Sequence, residues 1–254
     1  MGSVVIGKEC QFVVAIDGPA GSGKSTVGAE VARRLGALYF DTGVVYRTLA
    51  LVASEHGIPP DDAERLSELA QTLSLRVGPP SVDDGRLYDV WLDGRDVTWA
   101  IRSPEIDRLA SLVSAHPPVR QALLRLQREL ARNGRVVMAG RDIGTVVMPD
   151  APVKIWLHAS LEERARRRQR DLAKRGIVQP LDELIAELAE RDRRDATRAV
   201  APMRPAEDAI IIDTDNRSIE EVVETVLAIV RERCECTGHG ADSHSVASVT
   251  TPQN

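Results

Sequence analysis

The chain has 254 residues, 43% apolar and 28% charged, which is enough to bury the core of one globular domain with inserted lobes. Its formal charge of −5 argues against a protein whose main task is to coat DNA or RNA. No apolar run is long enough to cross a membrane, and the N-terminal residues lack a signal peptide's long apolar region, so we expect a cytoplasmic protein.

Strands and helices are predicted to alternate along most of the chain. Continuous apolar runs bounded by turn residues predict buried strands at 12–16, 37–40, 135–140, 153–159 and 209–214. Helical spacing of apolar residues predicts helices at 25–36, 44–57, 117–132, 160–175, 181–198 and 218–233. This alternation is typical of a parallel sheet with helices on both faces, so we expect one α/β domain over 12–233.

Residues 73–99 break the alternation. They contain LSLRVG, YDVWLDG and RDVTWA, separated by the turn-rich GPPSVDDG and by DGR. Three short strands with tight links predict an antiparallel meander inserted into the α/β domain. Tyr88, Trp91 and Trp99 fall in this lobe, and we expect them to form its own core.

The C-terminal residues 234–254 are polar, rich in small side chains and without periodicity, so we expect a disordered tail. Cys234 and Cys236 could bind a metal together with His239 and His244, but the pattern is more typical of a thiol pair on a loose segment. With Cys10, these cysteines do not have the spacing of a disulfide framework.

The segment 18-GPAGSGKST-26 follows a predicted strand, opens a predicted helix and matches the phosphate-binding pattern G-x-x-x-x-G-K-[ST]. Glycines in such a loop let backbone N–H groups point at phosphate oxygens, and the helix N-terminus adds partial positive charge. Lysine adds a full charge, and the hydroxyls lie where Mg²⁺ binds. The sequence therefore predicts a nucleotide site with a catalytic Lys24 and a metal-binding Ser25, formed by Gly18, Pro19, Ala20, Gly21, Ser22, Gly23, Lys24, Ser25 and Thr26.

A phosphate-binding loop serves switches, motors and kinases. The N-K-x-D element with which a GTP switch reads guanine is absent, and no further motif of a motor is found. A kinase needs a second anion site for the acceptor, and arginines could form one: Arg47, Arg102, Arg120, Arg141, Arg191, Arg194 and Arg198. An ATP-binding regulatory or RNA-associated protein that transfers no phosphoryl group is the alternative.

Arg191, Asp195 and Arg198 are spaced to share one face of a helix. The simpler interpretation is a solvated face with a salt bridge, and both interpretations stay open. Residues 161–198 contain 11 basic and 9 acidic residues, a balance that argues against binding along an RNA backbone.

Five segments in order resemble bacterial cytidylate kinases: 18-GPAGSGKST-26, 41-DTGVVYR-47, 116-HPPVRQALLRLQR-128, 140-GRDIGTVVMPDAPVKIWL-157 and 191-RDRRDATRAVAP-202. The resemblance implies a three-layer P-loop kinase with a parallel sheet between helices, an antiparallel nucleotide-binding lobe over about 65–108 and a helical lid over about 160–198. It further implies ATP- and Mg²⁺-dependent phosphorylation of CMP and dCMP. We expect a monomer that binds neither nucleic acid nor membrane.

The resemblance also assigns the base-reading residues. The family's cytosine pocket corresponds to Ser111, Arg120 and Asp142. A carboxylate can accept a hydrogen bond from the N4 amino group of cytosine, and a guanidinium can donate to its acceptor edge. Uracil reverses this edge and should be rejected. The alternatives are a structural Asp142 at a strand end and an ordinary helix surface for the other two, and UMP, dTMP or shikimate remain rival acceptors.

The remaining substrate contacts are implied in the same way, namely Thr42, Tyr46 and Arg47 near the acceptor, Arg141 at the CMP phosphate, Arg191 and Asp195 at the ribose, and Arg198 as a phosphate clamp. Arg141 and Arg198 join Lys24 as catalytic residues. A phosphate acceptor is largely ionised near neutral pH, so no general base is needed. Many relatives have DSG where this chain has DTG, so Thr42 could shift the preference between CMP and dCMP.

Overall fold

The computed structural model describes residues 12–132, 134–174 and 176–235. The strands in chain order are β1 (Phe12–Asp17), β2 (Leu38–Asp41), β3 (Leu75–Gly78), β4 (Asp89–Leu92), β5 (Arg95–Asp96), β6 (Arg135–Gly140), β7 (Val153–His158) and β8 (Ile210–Asp213). The helices are α1 (Lys24–Leu35), α2 (Gly43–Glu55), α3 (Ala63–Thr72), α4 (Pro104–Val113), α5 (Pro117–Ala131), α6 (Leu161–Ala173), α7 (Leu181–Ala196) and α8 (Ile219–Glu235). A short 3-10 helix spans Ala100–Arg102, and a π-helix spans Ile143–Val147.

The main sheet is parallel, with the strand order β2-β6-β1-β7-β8, and helices flank it. Strand β1 lies in the middle and is buried along its whole length, with Val14 between Val137 of β6 and Val153 of β7. Its continuous apolar run reflects burial on both faces. The predicted α/β fold is confirmed. Because the strands are parallel, the residues that follow β1, β2 and β6 meet at one edge of the sheet, where ligands bind in such folds.

The inserted lobe is a three-stranded antiparallel sheet of β3, β4 and β5, so the predicted meander is confirmed. The prediction that its aromatic residues form its own core is wrong. Trp99 is 48% exposed, and the ring of Trp91 lies under the Arg76 guanidinium at 3.8 Å. Tyr88 is buried, but it packs against Tyr39 of β2 and therefore joins the lobe to the main sheet.

Helices α3 and α4 flank the lobe and were not among the predicted elements. Each begins at a side-chain cap: Asp62 accepts a hydrogen bond from the Arg65 N–H, and Ser103 accepts one from the Ile106 N–H. In α4 the cap is followed by Pro104 at the first helical position, which favours helix initiation. These capping signals were available in the sequence, but each helix is short and buries few apolar residues.

Helices α6 and α7 form the segment predicted to act as a lid, and they end at Ala173 and Ala196 and not at the predicted 175 and 198. The closing movement stays a prediction, and the pair of helices is called the lid below. It has a small apolar cluster of its own that also takes in Ala20 of the phosphate-binding loop, formed by Ala20, Ala165, Leu172, Leu184 and Leu188.

Helix α8 continues through Cys234 and Glu235, so the boundary predicted for the disordered tail is two residues too early. Cys234 is half-buried and packs against the main core. Residues 236–254, which carry the rest of the predicted tail with Cys236, His239 and His244, lie outside the described residues, as does Cys10. Within the described ranges, no helix combines the length and apolar character that a membrane span requires.

Candidate active site

The phosphate-binding loop leaves β1 and leads directly into α1. Gly18 has a φ of +148°, and a Cβ there would lie 2.2 Å from the Leu157 carbonyl oxygen, so only glycine fits. The buried Lys24 folds back over the loop, where its Nζ donates to the Pro19 carbonyl at 2.6 Å and to Ser22 Oγ at 3.3 Å. Ser25 is exposed at the N-terminus of α1, as is Thr26. The loop therefore has the amides, the ammonium group and the exposed hydroxyls that a phosphate site needs.

The electrostatics of the loop favour an anion. Burial lowers the pKa of Lys24 well below its ordinary value, and the positive charge of Arg141 lowers it further. A phosphate near Lys24 and Arg141 would oppose this lowering of the pKa, because an opposite charge favours the protonated amine.

Asp17, the last residue of β1, ties this loop to the segment after β6. Its carboxylate oxygens accept hydrogen bonds from the backbone N–H groups of Ile143 at 2.8 Å and Gly144 at 2.7 Å. Burial raises the pKa of Asp17 to about 6, against the lowering effect of these two hydrogen bonds, and the charge of Asp142 adds to the increase. Asp17 therefore fixes the start of the π-helix, directly after Asp142, relative to the phosphate-binding loop.

Arg120 and Asp142 form a buried ion pair, with Nη2 and Oδ2 2.6 Å apart and with 6% and 10% of their side chains exposed. The Arg120 guanidinium also lies over the ring of Tyr46, at 5.5 Å, and donates to the Ser114 carbonyl at 3.4 Å. Ser111, half-buried on α4, is one turn before Ser114. The structure thus brings the predicted base-reading acceptor and donor side by side in a dry environment.

Asp195 joins the lid to the main sheet. One of its oxygens accepts from Arg141 Nε at 3.0 Å, and the other pairs with Arg198. Asp195 itself is buried, so these contacts are not the solvated salt bridge that was the simpler interpretation of the sequence. Arg198 lies beyond the end of α7, which corrects its predicted helical position. Arg191 has no ion pair in the described residues, and desolvation together with Arg141 lowers its pKa.

A second cationic group lies at the end of β2, where Arg47 Nη2 donates to Asp41 Oδ1 at 2.8 Å. The other oxygen of Asp41 accepts from the Tyr88 hydroxyl of the lobe. Thr42 is buried at the N-terminus of α2, and its Oγ1 lies 3.4 Å from the Ala139 carbonyl. Arg47 Nη1 lies 2.7 Å from the Cβ position of Gly43, so its guanidinium covers the positive end of α2.

The lid also contacts the phosphate-binding loop through Arg164, which is buried. Arg164 Nη1 donates to the Ala20 carbonyl and Nε to the Ala159 carbonyl, each at 3.1 Å. Its third nitrogen pairs with Asp192 of α7 at 2.6 Å. One side chain therefore links both lid helices to the loop.

A family model described as cytidylate kinase matches residues 14–232 of the chain. The chain belongs to the cytidylate kinase family. It is 54% identical over 214 residues to a cytidylate kinase of Chloroflexus aggregans, covering 84% of this chain and 91% of that one. It is 49% identical over 226 residues to a cytidylate kinase of Geobacter sulfurreducens, covering 89% and 95%. A bifunctional pantoate ligase/cytidylate kinase of a Synechococcus strain is 50% identical over 228 residues; the match covers 89% of this chain and 42% of that relative.

A metal site built from the protein alone is not found in the described ranges, which hold no cluster of three or more His, Cys, Asp or Glu residues suited to an ion. The predicted metal-binding residue Ser25 offers an exposed hydroxyl at the loop. A single hydroxyl fits Mg²⁺, which keeps several waters and takes its other ligands from substrate phosphates.

Four residues with contacts at the site were given no role by the sequence: Asp17, Asp41, Tyr88 and Arg164. For Asp17 a signal existed, because it is an acid at the end of a continuous apolar strand, next to the loop. For Arg164 there was none, because it lies among similar arginines on α6, and only the fold buries it.

Proposed function

We propose that the chain transfers the γ-phosphoryl group of ATP to CMP and dCMP. The observation that carries this proposal is the buried Arg120–Asp142 pair, located one residue from Arg141 and joined through Asp17 to the phosphate-binding loop. Direct contacts thus link the residues that we propose as base reader, acceptor cation and donor loop.

Asp142 would accept a hydrogen bond from the N4 amino group of cytosine, and Arg120 would donate to N3 and O2. Uracil would place its O4 acceptor against the carboxylate and its N3–H against the guanidinium. Both protein groups are buried, so the mismatched base would leave them without partners, which is a strong source of discrimination. UMP and dTMP are therefore expected to be poor acceptors.

The residues act by position and charge. The phosphate-binding loop and Lys24 would hold the ATP phosphates, with Arg47, Arg141 and Arg198 at the phosphate of the acceptor. Mg²⁺, held at Ser25 and the phosphates, would supply further neutralisation of the transferred group. Lid contacts through Arg164 and Asp195 would exclude water as a competing acceptor. No side chain needs to remove a proton, because the acceptor is already an ionised phosphate.

We propose a cytoplasmic monomer whose partners are CMP, dCMP and ATP, without a nucleic acid or a membrane. The acidic net charge of −5 supports the choice of small-molecule partners.

ADP release in a coupled assay tests the proposed function. The purified chain is given ATP and Mg²⁺ with CMP, dCMP, UMP, dTMP, shikimate or RNA in turn. Release with CMP and dCMP above all others is expected. If release is fastest with UMP or shikimate, that compound and not CMP is the acceptor. Release with RNA alone would indicate the regulatory or RNA-associated alternative.

A further inference from the structure

Several buried arginine nitrogens make no hydrogen bond in the part of the chain that the structure describes. They are Nε of Arg47, Nε of Arg120, and both Nε and Nη2 of Arg102. A buried donor without an acceptor is costly, so each such group calls for an explanation. Arg47 and Arg120 are substrate ligands in the proposed function. Arg102 is one of the arginines that the sequence offers for an anion site, and the proposed function gives it no specific contact.

Arg102 is the last residue of the 3-10 helix that follows β5. Its guanidinium carbon lies 4.8 Å from the ring centroid of Tyr88 and 5.6 Å from that of Trp99. Aromatic contacts attract the charge but accept no N–H in the plane of the guanidinium. The side chain is therefore held in place while its in-plane donors stay without partners.

Tyr88 fixes where this guanidinium lies in the site. The Tyr88 hydroxyl donates to Asp41, which also holds Arg47. Burial acts to raise the pKa of Asp41, but the charge of Arg47, the Tyr88 hydrogen bond and the charge of Arg102 hold it below its ordinary value. Arg102 thus belongs to the same charged group as the arginine proposed for the acceptor phosphate.

Arg102 also differs from four of the other site arginines. The side chains of Arg47, Arg120, Arg141 and Arg198 each pair with an aspartate. In the described residues, that of Arg102 has neither an ion pair nor a hydrogen bond, and both oxygens of the nearby Asp41 already accept from other groups. The lobe therefore brings a cation into the site without bringing a counter-charge.

We propose that Arg102 is a further phosphate-binding residue of the acceptor site. It donates from Nε and Nη2 together to the phosphate of the acceptor nucleotide. These two nitrogens form one edge of the planar guanidinium, the arrangement that engages two oxygens of a phosphate at once. This inference rests on the proposed function, and it makes the position of the inserted lobe sensitive to the acceptor's phosphate.

A purely structural role for Arg102 makes a different prediction. If its stacking only holds the lobe together, its loss should weaken binding of the nucleoside and of the nucleotide alike. If it binds the phosphate, its loss should weaken the nucleotide alone. Cytidine, which has the base and ribose without the phosphate, separates the two.

The experiment compares CMP and cytidine binding to the full chain by calorimetry, for the wild type, Arg102→Gln and Arg102→Lys. Glutamine removes the charge, and lysine keeps the charge without the two-donor edge. The matched control is Arg76→Gln, because Arg76 stacks on Trp91 in the same lobe at 3.8 Å. We expect Arg102→Gln to raise the Kd for CMP by about 10- to 100-fold, with the Kd for cytidine within about twofold of the wild type.

The Kd of Arg102→Lys for CMP should lie between those of the wild type and Arg102→Gln. Arg76→Gln should bind CMP and cytidine as the wild type does. An unchanged Kd for CMP in Arg102→Gln overturns the inference, as does an equal loss of CMP and cytidine binding. If Arg102→Gln fails to fold, Arg102→Lys gives the same comparison. A wild type that binds no CMP would instead overturn the proposed function itself.

Discussion

Replacing Asp142 by asparagine keeps the shape of the base-reading pair and removes its negative charge. In the wild type the carboxylate lies 2.6 Å from Arg120 and both side chains are almost fully buried. A hydrogen bond to a charged group contributes about 1.5–3 kcal/mol. Its loss to the N4 amino group of cytosine should therefore lower kcat/KM for CMP by roughly 10- to 150-fold.

The same substitution should not lower kcat/KM for UMP in this way, because an asparagine amide can donate a hydrogen bond to the O4 of uracil. The ratio of kcat/KM for CMP to that for UMP is thus expected to fall by at least tenfold, which corresponds to the free energy of the lost hydrogen bond. Coupled ADP release with each acceptor measures this ratio. The control is Glu30→Gln, since Glu30 also pairs with arginines but lies on α1 outside the site. A ratio that Asp142→Asn leaves unchanged would refute the assignment of Asp142 to the base.

Three further outcomes follow from the contacts of the loop. Lys24→Met should lower kcat about 100- to 1,000-fold, as loss of one charge-stabilising donor does, yet keep a native circular dichroism spectrum. A fully active Lys24→Met would contradict the proposed chemistry. Arg164→Ala should raise ATP hydrolysis without acceptor relative to CMP phosphorylation, because the lid loses its link to Ala20; Arg166→Ala, at a side chain 55% exposed, should not. Folding raises the pKa of Asp17 from 3.8 to about 6. Between these pH values the folded state therefore binds more protons at Asp17 than the unfolded state does. The contribution of Asp17 to the free energy of unfolding should fall by about 3 kcal/mol as the pH rises through this range. Denaturant titrations at pH 4 and pH 7 should show this fall in the wild type relative to Asp17→Asn, and a difference that does not change with pH would be evidence against it.

The elements that could be predicted are those in which one physical signal dominates. β1 and β6 are buried on both faces, so each appears as an unbroken apolar run, and the phosphate-binding loop has fixed glycine positions. Helices α3 and α4 were not predicted, because their signals are single caps and not a long periodic pattern. The aromatic residues of the lobe were misplaced, since no local pattern reveals that Tyr88 packs on a strand that precedes it by 47 residues.

For the site, the sequence supplied the residue types and the resemblance supplied their roles. Pairing between Arg120 and Asp142 depends on how α5 and the segment after β6 meet, so the spacing along the chain could not predict it. The same holds for Arg102, which appeared only as one arginine among several. Its distinguishing property, a pair of buried donors without acceptors, exists only in the folded chain.

The small apolar cluster of the lid has a consequence for how freely the lid can swing. All of its members except Ala20 belong to α6 and α7, so the lid would keep its own core if it opens as proposed. Opening uncovers little more of the loop's apolar surface than one methyl group, at a cost of about 1 kcal/mol. The polar contacts through Arg164 and Arg141 set most of the remaining cost. On the proposed mechanism the lid would therefore open and close at little cost in apolar burial, and the charges of the bound nucleotides would determine when it closes.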